Sequence, residues 1–148
     1  MVPDAPAAQY AIALTLTLLI ETPLVAAALA RWYRVPFRSG ITLGLAGSLL
    51  THPVVWFVLP GLLLPEVGWR GYLLTAEAFA WLAEAALYWL AVWRLTARRD
   101  LVGLLLLSLL ANLASFSVGA ILQLTGLWSG GASWAVVRAA PPGTLPRL

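Results

Sequence analysis

The chain has 148 residues, of which 61% are hydrophobic and only 10% are charged. Soluble domains carry about 25% charged and about 45–50% apolar residues, so this composition excludes a soluble globular domain, an intrinsically disordered chain and collagen. No cysteine is present, which excludes disulfides, thiolate metal sites and iron–sulfur clusters. The net charge of +3 comes from Arg that mostly lies beside apolar stretches, so we expect no nucleic-acid partner.

Four long apolar stretches follow one another along the chain. A membrane-spanning helix needs about 20 apolar residues, and the stretches at 8–30, 41–60, 72–93 and 101–124 meet that length. The links at 31–40, 61–71 and 94–100 are short, so consecutive helices should be antiparallel neighbours. The predicted fold class is all-α: a polytopic membrane protein whose residues 1–128 form a four-transmembrane-helix up-and-down bundle in the lipid bilayer.

The two ends of the chain are predicted to differ: the first apolar stretch belongs to the bundle, and the last twenty residues form a tail outside it. The first apolar stretch is too long for a cleavable signal peptide and no basic residue precedes it, so we expect it to remain as a helix. The segment 129–148 has Gly and Pro near both ends and only a short apolar centre. We predict an extracytoplasmic or interfacial tail there, with Trp134 at the membrane surface.

The distribution of Arg predicts an orientation. Arg31, Arg34 and Arg38 lie in the first link and Arg94, Arg98 and Arg99 in the third, whereas the second link carries Arg70 alone. The positive-inside bias places the first and third links in the cytoplasm and both termini outside. We therefore expect a multi-pass protein of a bacterial-type inner (plasma) membrane.

Aromatic residues cluster near the ends of the predicted spans, where amphipathic rings prefer the membrane interface. This group comprises Trp32, Tyr33, Trp69, Tyr72, Trp89, Trp93 and Trp128. Trp56 and Trp81 instead fall well inside their helices. We expect both to pack, each with its indole N–H bonded to a buried acceptor, and hold a ligand-stacking role as the alternative.

Each predicted span places a strongly polar residue near the middle of the membrane. Counting along the helices puts Glu21, His52, Glu84 and Asn112 roughly 16–20 Å from the span ends, with Glu77 two turns nearer the outside. A charge at such a depth costs about 2.5–3.5 kcal/mol on insertion scales. Hydrogen bonds between membrane helices contribute only about 0.6–2 kcal/mol each, so a structural role alone does not offset three buried carboxyls.

The polar residues also share helix faces. In the fourth span a single arc carries Ser108, Asn112, Ser115, Gly119 and Gln123. In the third span Glu77 and Glu84 stack on one face, with Tyr88 beside them. We predict that these faces meet inside the bundle and form a site for a proton or ligand. Its candidate residues are Glu21, His52, Glu77, Glu84, Tyr88, Asn112 and Ser115.

The residue types limit the chemistry of this site. A single His disfavours haem and no Glu-x-x-His pair supports a dinuclear centre, so we expect no cofactor; Glu21, His52 and Glu84 leave one bound metal ion open. Ser48, Thr51 and Ser115 lie near His52 in depth, but the packing of small residues explains them at least as well as a nucleophile does, so we do not expect an enzyme and rank an intramembrane enzyme third. Neighbouring carboxyls can share and exchange a proton, which suits transport or relay.

Two functional interpretations follow. In the first, a small membrane protein binds a proton, a cation or a small polar ligand, and a homodimer or a larger partner helps to enclose the pathway. In the second, the chain is an accessory subunit packed against a larger membrane complex. For that packing, Gly40, Gly44 and Ser48 offer a face of small residues that allows close approach between helices.

Overall fold

A computed structural model describes residues 6–127, of which 92% are helical, with no strand among them. The predicted all-α class is therefore confirmed for this part of the chain. The elements are α1 (Pro6–Tyr33), α2 (Phe37–Pro53), a π-helical segment (Val54–Val58), α3 (Leu59–Thr96) and α4 (Leu101–Leu124). Trp128 and the predicted tail at 129–148 lie outside the described residues.

Three helical stretches are long and apolar enough to cross a membrane: Ala7–Tyr33, Phe37–Thr96 and Leu101–Leu124. Many large apolar side chains point away from the protein interior, such as Leu19, Leu74 and Leu110, which are 68%, 73% and 63% exposed. A lipid bilayer covers such a surface, whereas water would not tolerate so large an apolar area. The structure therefore supports a membrane protein.

The second of these stretches, Phe37–Thr96, is continuous through the segment where we expected the second link. We predicted a loop at 61–71, but this segment is helical except at Gly68, whose φ of 66° and ψ of −176° interrupt the helix. Pro60 lies in the first turn of α3, where proline is tolerated, and the leucines that follow favour helix. The irregular φ and ψ of Gly68 alone therefore interrupt the helix where we expected a loop of eleven residues.

The chain reverses direction at Gly68. The Thr51 hydroxyl bonds the Glu84 carboxylate at 3.0 Å, and the Tyr72 hydroxyl donates to the Val55 carbonyl at 2.9 Å. These pairs are antiparallel and are centred in the segment between residues 63 and 68, so the chain turns back there and α2 lies alongside the later part of α3. That the chain crosses the membrane four times stays a prediction.

The helices form a ring in which each contacts two others. α1 packs on α2 and α4, and α3 also packs on α2 and α4. The approach of α1 to α2 is close: a Cβ added at Gly40 would lie 2.8 Å from the Ala26 Cα, and one at Gly44 would lie 2.9 Å from the Thr22 Cα. Glycine is required at these two positions because the helix backbones touch there.

This contact changes one expectation. The small-residue face of α2, which we offered as a surface for a partner, is buried against α1. It is therefore unavailable to a partner, and the observation that favoured an accessory subunit no longer supports it. Assembly as a homodimer or with a larger partner stays a prediction.

One end of the ring is filled by an apolar core. Its buried members come from α1, α3, α4 and the first link: Val25, Ala28, Leu29, Tyr33, Val35, Tyr88, Val92, Leu104, Leu107 and Ala111. Among the described residues, α2 adds only the partly buried Leu43. The first and third links meet at this end, where Tyr33 donates to Asp100 at 2.8 Å and Arg98 donates to the Trp32 carbonyl at 2.8 Å. Both Arg-rich links therefore lie on the same side of the protein.

Candidate binding cavity

A cavity of about 260 Å³ occupies the other half of the ring, with walls from every helix. Glu21 and Glu84, which are only 1% and 2% exposed, lie at its inner end beside the apolar core. The lining extends from them to Trp69, which is half-buried, and to Gln123, which is exposed. The cavity therefore runs from buried carboxyls toward the end of the protein where Gly68 turns.

Glu21 is held by hydroxyl groups from two other helices. Ser48 of α2 donates to Glu21 Oε2 at 2.9 Å, and Ser115 of α4 donates to Oε1. Ser48 lies on the small-residue face of α2, so the close approach of α1 and α2 brings its hydroxyl within reach of the carboxylate. Glu21 thus connects three helices through uncharged donors.

Glu84 has a similar arrangement with different donors. Thr51 of α2 bonds Oε1 at 3.0 Å, and the side-chain amide of Asn112 of α4 donates to Oε2 at 2.9 Å. The Tyr88 hydroxyl, one turn along α3, lies 3.5 Å from the same oxygen. Tyr88 is packed tightly, because a Cβ added at Gly47 would lie 2.8 Å from its hydroxyl oxygen.

Glu77 and His52 line the cavity wall without joining these two networks. Within residues 6–127 the Glu77 carboxylate makes no hydrogen bond, although Glu21 is near enough to interact with it electrostatically. His52 Nε2 lies 3.4 Å from the Thr17 hydroxyl, and its Nδ1 is buried without a hydrogen-bond partner in the described chain. The His52 ring contacts Tyr10 and stacks on Trp56, with centroid distances of 5.5 and 6.0 Å.

The two tryptophans inside the helices take different roles. The Trp81 indole N–H donates to the Leu105 carbonyl at 2.7 Å, and the Ser108 hydroxyl donates to the Trp81 carbonyl at 2.9 Å. Trp81 therefore packs α3 against α4, as the sequence predicts. Trp56, by contrast, lines the cavity beside His52.

The positions of these side chains test two alternatives: a bound metal ion and a nucleophile activated by His52. Among the described residues no three His, Asp or Glu side chains lie close enough together to hold a metal ion, so Glu21, His52 and Glu84 do not form a compact metal site. The hydroxyls of Ser48 and Ser115 bond to Glu21 and that of Thr51 to Glu84, and none of the three is bonded to His52. None of these three hydroxyls is therefore paired with the histidine as an activated nucleophile would be; the hydroxyl that lies beside His52 Nε2 is that of Thr17, at 3.4 Å.

The structure brings the predicted site residues together in two groups. Ser115 joins Glu21; Asn112 and Tyr88 join Glu84; Glu77 and His52 face the same cavity. Sequence reasoning left Ser48 and Thr51 out of the site because they belong to a small-residue face that packing explains equally well. The signal that identifies them is their position, one turn or less from His52 and at the same depth as the glutamates.

No protein family, curated protein or solved structure matches this chain.

Proposed function

We propose that this chain is a small integral membrane protein with four membrane crossings that binds a proton, a cation or a small polar ligand, in transport or relay. The main support for this proposal is the excess of acidic over basic side chains in the cavity wall. Three carboxyls line it, from Glu21, Glu77 and Glu84, and none of the described residues that line it is an Arg. The proposed site consists of these glutamates with His52, Tyr88, Asn112 and Ser115.

The cost of burying charge supports this proposal. A carboxylate at mid-membrane depth costs about 2.5–3.5 kcal/mol, and the donors to Glu21 and Glu84 are all uncharged. Glu21 is also near enough to both other glutamates for their charges to repel. Each carboxyl must therefore carry a proton or lie beside a cation, and exchange between those two states is what a proton- or cation-binding site does.

The hydroxyl groups around the glutamates suit both protonation states. Thr51 lies 3.0 Å from a Glu84 oxygen and 3.0 Å from the Gly47 carbonyl, and Ser48 lies 2.9 Å from Glu21 and 3.3 Å from the Gly44 carbonyl. Ser115 has the same choice between Glu21 and the Asn112 carbonyl. A hydroxyl has one proton, so it can donate to a carboxylate, or turn to its own helix and accept from a protonated carboxyl.

The two ends of the ring differ, and this difference indicates the side from which a ligand would enter the cavity. The apolar core closes the end that carries both Arg-rich links, whereas the cavity leads to the opposite end. By the positive-inside bias the closed end faces the cytoplasm. We therefore propose access from outside the cell, both termini outside, and residence in a bacterial-type inner membrane.

The test is the exchange of Glu84 for glutamine, which keeps the shape and hydrogen bonding of the side chain but cannot ionise. Infrared difference spectra between mildly acidic and mildly alkaline pH report the C=O stretch of protonated carboxyls. We expect this band to change with pH in the wild-type protein and to lose a component in Glu84→Gln. Coupled carboxyls titrate as a set, so the remaining component should also shift.

The matched control is Glu66→Gln, the same chemical change at an exposed residue that does not line the cavity. This variant should retain the carboxyl signal of the buried groups. A wild-type spectrum without a pH-dependent buried carboxyl, or equal spectra for Glu84→Gln and wild type in a folded protein, would contradict the proposal.

A further inference from the structure

We propose that the ligand of the cavity is a small organic ammonium ion, whose charge lies near Glu77 and whose alkyl groups contact the aromatic walls. This inference rests on the proposed function and narrows it to one class of ligand. It depends on three features of the cavity: the Glu77 carboxylate, which makes no hydrogen bond within the described residues, the aromatic lining, and the geometry that disfavours a bare metal ion.

Glu77 is the carboxylate best placed to contact a ligand. Glu21 and Glu84 lie deeper and accept hydrogen bonds from Ser48, Ser115, Thr51 and Asn112. Glu77 lines the cavity and forms no hydrogen bond within the described residues. An entering cation would therefore meet Glu77 first, with two further carboxyls behind it.

The walls beside Glu77 are aromatic. Trp56, Trp69, Tyr72 and Phe116 all line the cavity. Aromatic faces attract ammonium groups through the ring quadrupole, most strongly where water is excluded, and cages of such rings recognise alkylated ammonium ions. The negative face of an aromatic ring has no comparable attraction for a small anion.

The same cavity is poorly suited to a bare metal ion. Mg²⁺ and Ca²⁺ require several oxygen ligands at 2.0–2.6 Å in a defined arrangement, and no group of three His, Asp or Glu residues in the described chain converges in this way. A volume of about 260 Å³ is far more than one ion occupies. It lies just below the roughly 300–1,000 Å³ of drug-sized ligand pockets, which indicates a small organic molecule.

The experiment titrates tetramethylammonium chloride into the purified protein in detergent, with binding measured by calorimetry. Sodium chloride controls for ionic strength, and tert-butanol serves as an uncharged molecule of similar shape. We expect saturable binding of tetramethylammonium alone. Glu77→Gln should weaken it by about tenfold, equivalent to about 1.4 kcal/mol, while Glu66→Gln leaves it unchanged.

A second pair of variants tests the aromatic wall. Trp56→Leu should weaken binding by several-fold, whereas Trp32→Leu should not, because Trp32 is 59% exposed and lies at the opposite, Arg-rich end. Glu77→Gln keeps the inference testable if Trp56→Leu does not fold, since Glu77 makes no hydrogen bond that the substitution would remove within residues 6–127.

The results separate this inference from the proposed function. Equal affinity for tert-butanol, equal affinity in Glu77→Gln and Glu66→Gln, or no saturable binding to the folded wild-type protein would overturn the ammonium ligand. If the infrared carboxyl signal still responds to pH in that case, the proposed function stands and only its ligand class is wrong.

Discussion

Asp100 shows how one residue can join two helix ends. As the N-terminal cap of α4, it accepts a hydrogen bond from the Gly103 backbone N–H at 2.9 Å and another from the Tyr33 hydroxyl at the end of α1. These two bonds, that of Gly103 first, hold the pKa of Asp100 below its ordinary value. The residue therefore ties α4 to α1 at the end where the apolar core lies.

We predict that this tie weakens in acid. A carboxyl whose pKa is lower in the folded than in the unfolded chain stabilises the fold above the unfolded pKa of about 3.9, and its contribution is lost as pH falls through the folded value. Asp100→Ala should lower the free energy of unfolding by about 1 kcal/mol at neutral pH. The difference between variant and wild type should shrink in acid, as measured by denaturant unfolding in detergent.

Asp100→Asn provides the control, because asparagine caps helices as well as aspartate does but does not titrate. It should retain most of the stability at neutral pH and lose the acid dependence that Asp100 contributes. An Asp100→Ala difference that is the same at neutral and acid pH would show that the charge of Asp100 has no role.

Gly68 interrupts α3 in the segment where the chain turns back, and this turn lets α2 and the later part of α3 lie side by side. Its combination of positive φ and extended ψ belongs to a region that only glycine adopts without strain. A Cβ added there would meet no atom within 4 Å, so any cost of a side chain at this position comes from the backbone and not from a clash.

We predict that Gly68→Ala destabilises the protein by about 1–3 kcal/mol, the usual cost of forcing such a backbone on another residue. Gly61→Ala is the matched control: a Cβ there also meets no atom within 4 Å, but the residue lies inside helix α3. That variant should be neutral or gain about 0.5–1 kcal/mol. Thermal unfolding in the same detergent compares the two, and equal stability of both variants would contradict a backbone requirement at Gly68.

The helical period allows the convergence of polar faces to be predicted from sequence. The face of α4 is the clearest example: Asn112, Ser115, Gly119 and Gln123 all line the cavity, as their spacing around the helix indicates. Only Ser108 departs from this pattern, since it bonds the Trp81 carbonyl in the contact with α3.

The pairing of side chains between helices could not be predicted. Counting residues along a helix gives the depth of a side chain in the membrane, but not the rotation of that helix relative to its neighbours. His52 lies at the depth of the glutamates, yet its ring turns toward Tyr10 and Trp56 and bonds neither carboxylate. The sequence predicts a reversal within residues 61–71 but not the residue at which the helix is interrupted, because that segment contains glycines at 61, 68 and 71 and nothing local distinguishes them.

The two ends of the protein differ both in how tightly they are packed and in how many Arg residues they carry. The Arg-rich links and the apolar core lie at one end, and the cavity leads to the other, where the described residues carry Arg70 as their only basic side chain. In the proposed arrangement the cavity and its carboxyls would be reached from one side of the membrane. The proposed orientation would then decide which compartment supplies the proposed ligand.

The absence of cysteine from the chain makes that orientation directly measurable with single-cysteine variants. Glu66 and Arg38 are both exposed, the first near the turn at Gly68 and the second in α2 beside the Arg-rich first link. In intact cells a membrane-impermeant maleimide should label Glu66→Cys, and it should label Arg38→Cys only after the membrane is permeabilised. Leu110→Cys controls for bilayer burial, because Leu110 is 63% exposed on the outer face of α4 yet should react in neither condition if lipid covers it. Labelling of Arg38→Cys but not Glu66→Cys in intact cells would reverse the orientation, and the cavity would then open to the cytoplasm.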